Sequence, residues 1–178
     1  MPQNGLILLT PTSIAYTGTS ATISANGSVS FSAITELSLN GVFSADYDNY
    51  MITCWATAST PENAKFRFRQ SGTDSTTGYT YQFIVVDGTS VSASYATTTH
   101  VNVSAVYGTQ RAGFALNVYG PFLSQPTAMR SVTVLDLSSA GMKDTTATHS
   151  VVDSYDGFTL YPGSGNFTGR VAVYGMRK

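Results

Sequence analysis

Apolar and polar residues alternate with a period of two along most of this chain. The clearest case is residues 155–178. Phe158 and Leu160 alternate with Thr159 and Tyr161, a Pro162-Gly163-Ser164-Gly165 break follows, and then Phe167, Val171 and Val173 alternate with Thr168, Arg170 and Tyr174. Alternation on both sides of a Gly/Pro cluster predicts two antiparallel strands closing the domain as a hairpin. Phe158, Leu160, Val171 and Val173 would face a core, leaving Arg170 and Tyr174 to solvent or a partner.

The same reading extends upstream. Val29, Phe31 and Ala33, then Leu37 and Leu39, mark strands that end at Asn40-Gly41 and Ser44-Ala45-Asp46 turns. Residues 50–57 carry apolar side chains on both faces, which predicts a central strand. Lys65-Phe66-Arg67-Phe68-Arg69 sets two phenylalanines inward and three cations outward. Residues 79–86, then Val91, Ala93 and Tyr95, then Val101, Val103 and Ala105, then Phe114, Leu116 and Val118, then Val132 and Val134 give further strands. No segment shows a capped 3.6-residue apolar period, so helix is excluded as a major element. Short strands with turn signals about every ten residues predict a single all-β antiparallel β-sandwich of jelly-roll type over 27–178. Residues 1–26 combine the run Leu6-Ile7-Leu8-Leu9 with a small, polar stretch, and are expected to form an N-terminal arm that docks on something larger.

Composition narrows the function classes. The chain has 178 residues, 42% hydrophobic and 11% charged, with a formal net charge of -1. Ser and Thr fill much of the place usually taken by charges. That balance offers no basic field for a phosphate backbone, so nucleic acid is excluded as a partner. The N-terminus lacks a basic signal region, and its apolar run is too short for a membrane span. Synthesis in a cytoplasm without Sec export is therefore expected. Cys54 is the only cysteine, which excludes a disulfide framework and a thiolate metal site; its strand setting marks a buried small hydrophobe.

Catalytic patterns are weak. Ser164 lies between glycines but on no G-x-S-x-G elbow, and His100 and His149 have no metal-ligand spacing. Asp46 with Asp48, and Asp153 with Asp156, are carboxylate pairs of the kind glycosidases use, yet each sits beside turn residues that account for it. Asp46, Asp48 and Asn49 could supply oxygens to a cation, though no twelve-residue EF loop is present. No cofactor, metal or catalytic residue is assigned, and a non-enzyme is expected. Tyr79, Tyr81, Tyr95 and Tyr107 are candidates for stacking sugars, and a glycan-binding module is one alternative reading. Asp46-Tyr47-Asp48-Asn49-Tyr50 and Asp153-Ser154-Tyr155-Asp156-Gly157-Phe158 echo each other as turn-then-strand entries, suggesting that the two strands they start lie side by side.

Four stretches together carry a resemblance. They are Leu37-Ser38-Leu39-Asn40-Gly41-Val42-Phe43-Ser44-Ala45-Asp46-Tyr47-Asp48-Asn49-Tyr50, the run Phe66-Arg67-Phe68-Arg69-Gln70-Ser71-Gly72-Thr73-Asp74, Tyr119-Gly120-Pro121-Phe122, and Tyr155-Asp156-Gly157-Phe158 through Val173-Tyr174-Gly175. This set resembles small virion structural proteins of tailed bacteriophages, of the capsid-decorating, tail-fibre and minor-tail kinds. The resemblance implies a location on the virion surface, a homotrimer, contacts with other capsid or tail proteins, and no catalytic residues. One compact unit without heptads or fibrous repeats fits a knob on a shell lattice better than a tail fibre that reaches a host receptor or its surface glycan. The expected partner interface is Leu6, Ile7, Leu8 and Leu9, the row Lys65, Arg67 and Arg69, and the pair Arg170 and Tyr174.

Overall fold

A computed structural model describes residues 5–106, 111–135 and 140–177. The chain is all-β, with strands β1 (Leu6–Leu9), β2 (Ser13–Ile23), β3 (Val29–Asn40), β4 (Asn49–Ala58), β5 (Glu62–Gln70), β6 (Thr73–Asp74), β7 (Tyr79–Asp87), β8 (Ser90–Thr98), β9 (Val101–Val106), β10 (Ala112–Tyr119), β11 (Gln125–Val134), β12 (Met142–Asp153), β13 (Gly157–Pro162) and β14 (Phe167–Met176). Hydrogen bonding links them in the order β6-β5-β13-β3-β14-β4-β10-β11-β12-β7-β8, with β1 on β14, β2 on β3 and β9 on β5. The sheet curls over on itself into an antiparallel, jelly-roll-like β-sandwich. β9 then lies across the inner face of β10, β11 and β12.

The curl is made where β2 and β3 bend together. β3 holds one extra residue against both of its neighbours near Ala33, whose φ is 46°. Opposite it, Gly18 has φ 133°, and a side chain there would collide with the Ala33 carbonyl. A bulge of this kind kinks a strand and increases its twist. Before the bend β3 pairs with β14, and after it with β13.

This arrangement corrects the expected closing hairpin. β13 and β14 do not pair with each other; both run antiparallel to β3, one after the other, so they form a single interrupted strand that passes from one layer to the next. Pro162-Gly163-Ser164-Gly165 is the corner of that passage. Alternation was the same on either reading, because a corner keeps the inward parity that a hairpin also keeps. Phe158, Leu160, Val171 and Val173 are buried accordingly. The echo of the two turn motifs does not place their strands side by side: β13 lies between β5 and β3, and β4 between β14 and β10.

The N-terminal segment is also placed differently. β2 pairs with β3 from Ser13 to Ile23, and Leu6, Ile7, Leu8 and Leu9 pair with Met176, Gly175, Tyr174 and Val173. Residues 6–23 are thus part of the sandwich and do not stand off as an arm. Their backbone groups, invisible to a side-chain pattern, hold them there.

The core has two unlike ends. Around β3, β5, β13 and the turn after β3, Phe43, Phe66, Phe68, Tyr155 and Phe158 pack ring on ring: Phe68 and Tyr155 stack at 4.8 Å, and Phe66 and Phe158 at 5.3 Å. Under β9 the inner face is instead hydroxylic. Ser131 and Thr133 both donate to the Val103 carbonyl, at 2.5 and 3.2 Å. Lys143, only 2% exposed, donates to Asn63 Oδ1 at 3.2 Å and lies over the Phe83 ring.

Candidate functional site

That hydroxylic interior has an outward counterpart. Because Thr127, Met129, Ser131 and Thr133 point inward from β11, Val132 and Val134 point out, 43% and 65% exposed. On β12, Lys143, Thr145, Ala147 and His149 are buried while Met142 is exposed. At one end the β11–β12 ribbon is therefore inverted, with Ser131, Thr133 and Lys143 inside and Val132, Val134 and Met142 outside, while farther along Met129 and Ala147 are buried and Arg130, Thr146 and Thr148 face out. Cross-strand register continues the aliphatic side as the rows Val134-Met142-Val86-Val91 and Val132-Asp144-Ile84-Ala93, which run to the β8 edge. Ile84 is 52% and Val91 70% exposed.

Beside this band, the outer face of β12, β7 and β8 forms a trough. Its residues fall into registered rows, Thr148-Thr80-Thr97, Thr146-Gln82-Tyr95 and Asp144-Ile84-Ala93. Two adjoining depressions of about 670 and 360 Å³ share Gln82, Tyr95 and Thr146. Tyr95 is 67% exposed. Its hydroxyl meets Thr97 Oγ1 at 3.2 Å, and Thr97 in turn meets Thr80 at 3.4 Å. On the β11 side Asp144 accepts from Arg130 Nε at 3.1 Å and Nη2 at 2.6 Å. The Arg130 guanidinium holds the Asp144 carboxyl below the usual carboxylate range.

The expected interface residues separate into groups. Leu8, Arg170 and Tyr174 come together around a depression of about 320 Å³ on the β1–β14–β4 face, which also includes Trp55. There Arg170 donates to Ser28 Oγ at 2.9 Å, and Arg111 lies 4.0 Å over the Trp55 ring. Leu6 is exposed, Ile7 is half-buried, and Leu9 packs on the core. The cation row is used within the chain. Arg69 bonds Asn40 and Thr159 at 3.1 and 2.9 Å and pairs with Asp74. Arg67 donates to the Thr99 carbonyl at 3.0 Å and covers the Tyr161 ring. Lys65 is half-buried at the end of the row. Of the four tyrosines considered for stacking sugars, Tyr107 lies outside the described residues; of the other three, Tyr79 and Tyr81 are buried and Tyr95 opens to solvent. Register decides between them; residue type did not.

The carboxylates of the turns are engaged locally. Asp46 accepts from Ser44 Oγ, Asp153 from Gln70 Nε2 at 2.6 Å, and Asp156 from the Ser71 amide at 3.2 Å. Among the described residues no three His, Cys, Asp or Glu side chains cluster as metal ligands. Burial holds both imidazoles below their ordinary range: His149 is enclosed by Tyr79, Phe68 and Tyr155, while His100 also feels Lys65 and Arg67. The Cys54 thiol is pushed up to about 12 by burial and is unreactive at neutral pH. Among the described residues no helix is long and apolar enough to cross a membrane.

The four stretches that carry the bacteriophage resemblance meet at one end of the sandwich. The Asp156 carbonyl accepts from the Val42 and Phe43 amides at 2.9 and 3.1 Å, and the Asp156 amide donates to the Arg69 carbonyl at 3.0 Å. Tyr155 donates to the Pro121 carbonyl and Gly120 to the Asp48 carbonyl, at 2.9 and 2.8 Å. A side chain at Gly157 would collide with the Leu39 carbonyl. These motifs form an interlocked end cap, beside which Gln70, Thr73, Asp74, Ser75, Asp153 and Tyr155 line a depression of about 150 Å³.

No family model and no curated protein matches the chain. Among solved structures it is similar to domain 4 of AbnA, a GH43 extracellular arabinanase from Geobacillus stearothermophilus, in complex with arabinotriose. The TM-score is 0.41 at 9% identity, over 92% of this chain and 82% of the other. It is also similar to the sucrose-6-phosphate hydrolase of Lactobacillus gasseri, with a TM-score of 0.33 at 11% identity over 88% of this chain and 32% of that one. The binding domain of botulinum neurotoxin serotype G gives a TM-score of 0.25 at 7% identity, over 99% of this chain and 45% of that one. No residue role passes from these proteins to this chain.

Proposed function

We propose that the chain is a non-enzymatic structural protein of a tailed-bacteriophage particle, a capsid-decorating knob that works as a homo-oligomer. The observation that carries this reading is the inverted end of the β11–β12 ribbon. A strand pair that buries Ser131, Thr133, Lys143 and Thr145 while exposing Val132, Val134 and Met142 breaks the ordinary pattern of a half-buried sheet. Such breaks fall where something other than the fold of one chain is served. An exposed aliphatic band, broken only where Asp144 pairs with Arg130, marks a protein contact, and the second copy of this chain is the occupant. The band runs out to β8, an edge strand whose nine residues, Ser90–Thr98, carry no charge and no proline and pair with β7 without a bulge. Those are the devices that keep an edge from meeting another chain, and all are missing here. The motif resemblance supplies the particle and implies the trimer.

The test is mass and placement. The purified protein runs as an oligomer by light scattering, and Val134→Asp with Val91→Asp dissociates it without lowering its melting temperature. Gel densitometry of purified particles finds many copies per particle. A wild-type monomer at high concentration would overturn the self-contact. A few copies per particle together with binding to host cells would move the protein to the tail tip.

A further inference from the structure

The trough beside the band has its own chemistry, and we infer that it is a binding site for a neutral saccharide. The aliphatic band asks for a protein surface. The trough differs in three respects.

Its wall is an exposed aromatic ring held in place. Tyr95 stands at the rim, and the Tyr95-Thr97-Thr80 hydroxyl chain fixes it across the β7–β8 pair. A flat ring with an apolar face and a wet edge suits the C–H face of a pyranose or furanose, which is apolar while its rim is hydroxylic. Its floor supplies the matching polar groups in register: Thr80, Thr146 and Thr148, with the Gln82 carboxamide between Thr146 and Tyr95. Hydroxyls and an amide offer both donors and acceptors, as a polyol requires. Its charge is already neutralised. Asp144 and Arg130, the ionic groups at this face, form a two-bond pair, which leaves neither free for an anionic sugar or a phosphate.

Size agrees. The two joined depressions, about 670 and 360 Å³, lie within the range of small-molecule sites. They extend over the outer faces of β8, β7, β12 and β11, three interstrand spacings or roughly 14 Å, enough for a short oligosaccharide. β-strands give this site precision that loops would not, because each contact residue is fixed by ladder hydrogen bonds on both sides for β7 and β12. The trough shares the row Asp144-Ile84-Ala93 with the aliphatic band, but the residues that carry the inference, in the rows Thr148-Thr80-Thr97 and Thr146-Gln82-Tyr95, lie outside it.

The test uses the full chain, isotopically labelled, titrated by NMR with a panel of neutral trisaccharides (gluco-, manno- and arabino-configured) and with sialyllactose as the anionic control. At least one neutral trisaccharide shifts resonances of β7, β8 and β12, with a dissociation constant in the millimolar range or tighter. Tyr95→Ala weakens that binding about tenfold or more. Gln82→Ala and Thr146→Val each weaken it several-fold, and Val134→Asp leaves it unchanged. All three trough side chains face solvent, so the variants fold, which their amide spectra check. Absence of any shift at about 10 mM, binding unaffected by Tyr95→Ala, or binding of sialyllactose alone overturns the inference. None of these outcomes alters the oligomer mass that tests the self-contact.

Discussion

The two ends of the core solve the same packing problem with opposite materials. At the motif end, Phe43, Phe66, Phe68, Tyr155 and Phe158 interlock, and the tyrosine hydroxyls reach backbone groups: the Phe68 amide donates to Tyr79 Oη at 2.8 Å, and that hydroxyl donates to the Ser75 carbonyl at 3.1 Å. At the other end, hydroxyls of β11 and β12 reach up to the Val103 and Asn102 carbonyls of β9. Aromatic packing specifies one arrangement strongly, since large rings tolerate little displacement. Serine and threonine bury little apolar surface, so the β9 end gives up stabilisation that its exposed valines would have supplied inside. The difference teaches where selection for fold stops and selection for surface begins.

The comparison breaks most readily at the aromatic end. Phe68 touches Phe43, Phe66, Tyr79, His149 and Tyr155, so Phe68→Ala should lose about 3–5 kcal/mol in urea unfolding. A loss below about 1 kcal/mol, typical of a surface site, would show that this end is not tightly packed.

The next effect has the opposite sign and belongs to the β9 end. Burial lowers Lys143 from 10.5 to about 8. Between those values the unfolded chain binds a proton that the folded chain has released, so stability rises as pH climbs from about 8 to 10.5. Below that window the buried charge is a standing cost. Lys143→Met, which keeps the packing on Phe83, should gain roughly 1–3 kcal/mol at neutral pH and flatten the alkaline rise. Denaturant midpoints across pH for both proteins check it; a destabilised variant with the slope intact would contradict it.

The smallest of the three returns to the aromatic end. Tyr79→Phe keeps the ring and leaves the Phe68 amide without its acceptor, so it should lose about 1–2 kcal/mol. If it is neutral, the ring packing alone defines that end.

These contrasts also show what a linear reading could see. Parity was legible wherever strands obey the usual rule: Ile52, Cys54, Phe66, Phe68, Phe114, Leu116 and Val118 all face inward. It misleads at β11, where Val132 and Val134 alternate correctly but point the wrong way, because alternation fixes which residues share a face and not which face is inside. The direction of the chain after Pro162 was equally hidden, since a corner and a hairpin leave the same side-chain pattern. Leu8, Arg170 and Tyr174 do meet at one depression. Arg67 and Arg69 were read as outward from their parity, but Asp74, Thr99, Asn40 and Thr159, all remote in pattern, hold them within the chain. The Tyr95 trough needed the register of four strands before its residues could be seen as neighbours.

The passage of β13 and β14 along β3 has a consequence for synthesis. β3 emerges early from the ribosome, but its partners on that side are residues 157–171, more than a hundred positions later. Until they arrive, β3 and β4 lack β14 between them, and neither layer is closed. Loop closure over such a span makes assembly slow. Until residues 157–171 have docked, the chain therefore presents open strands to its neighbours, and the risk of misassembly lies in that interval.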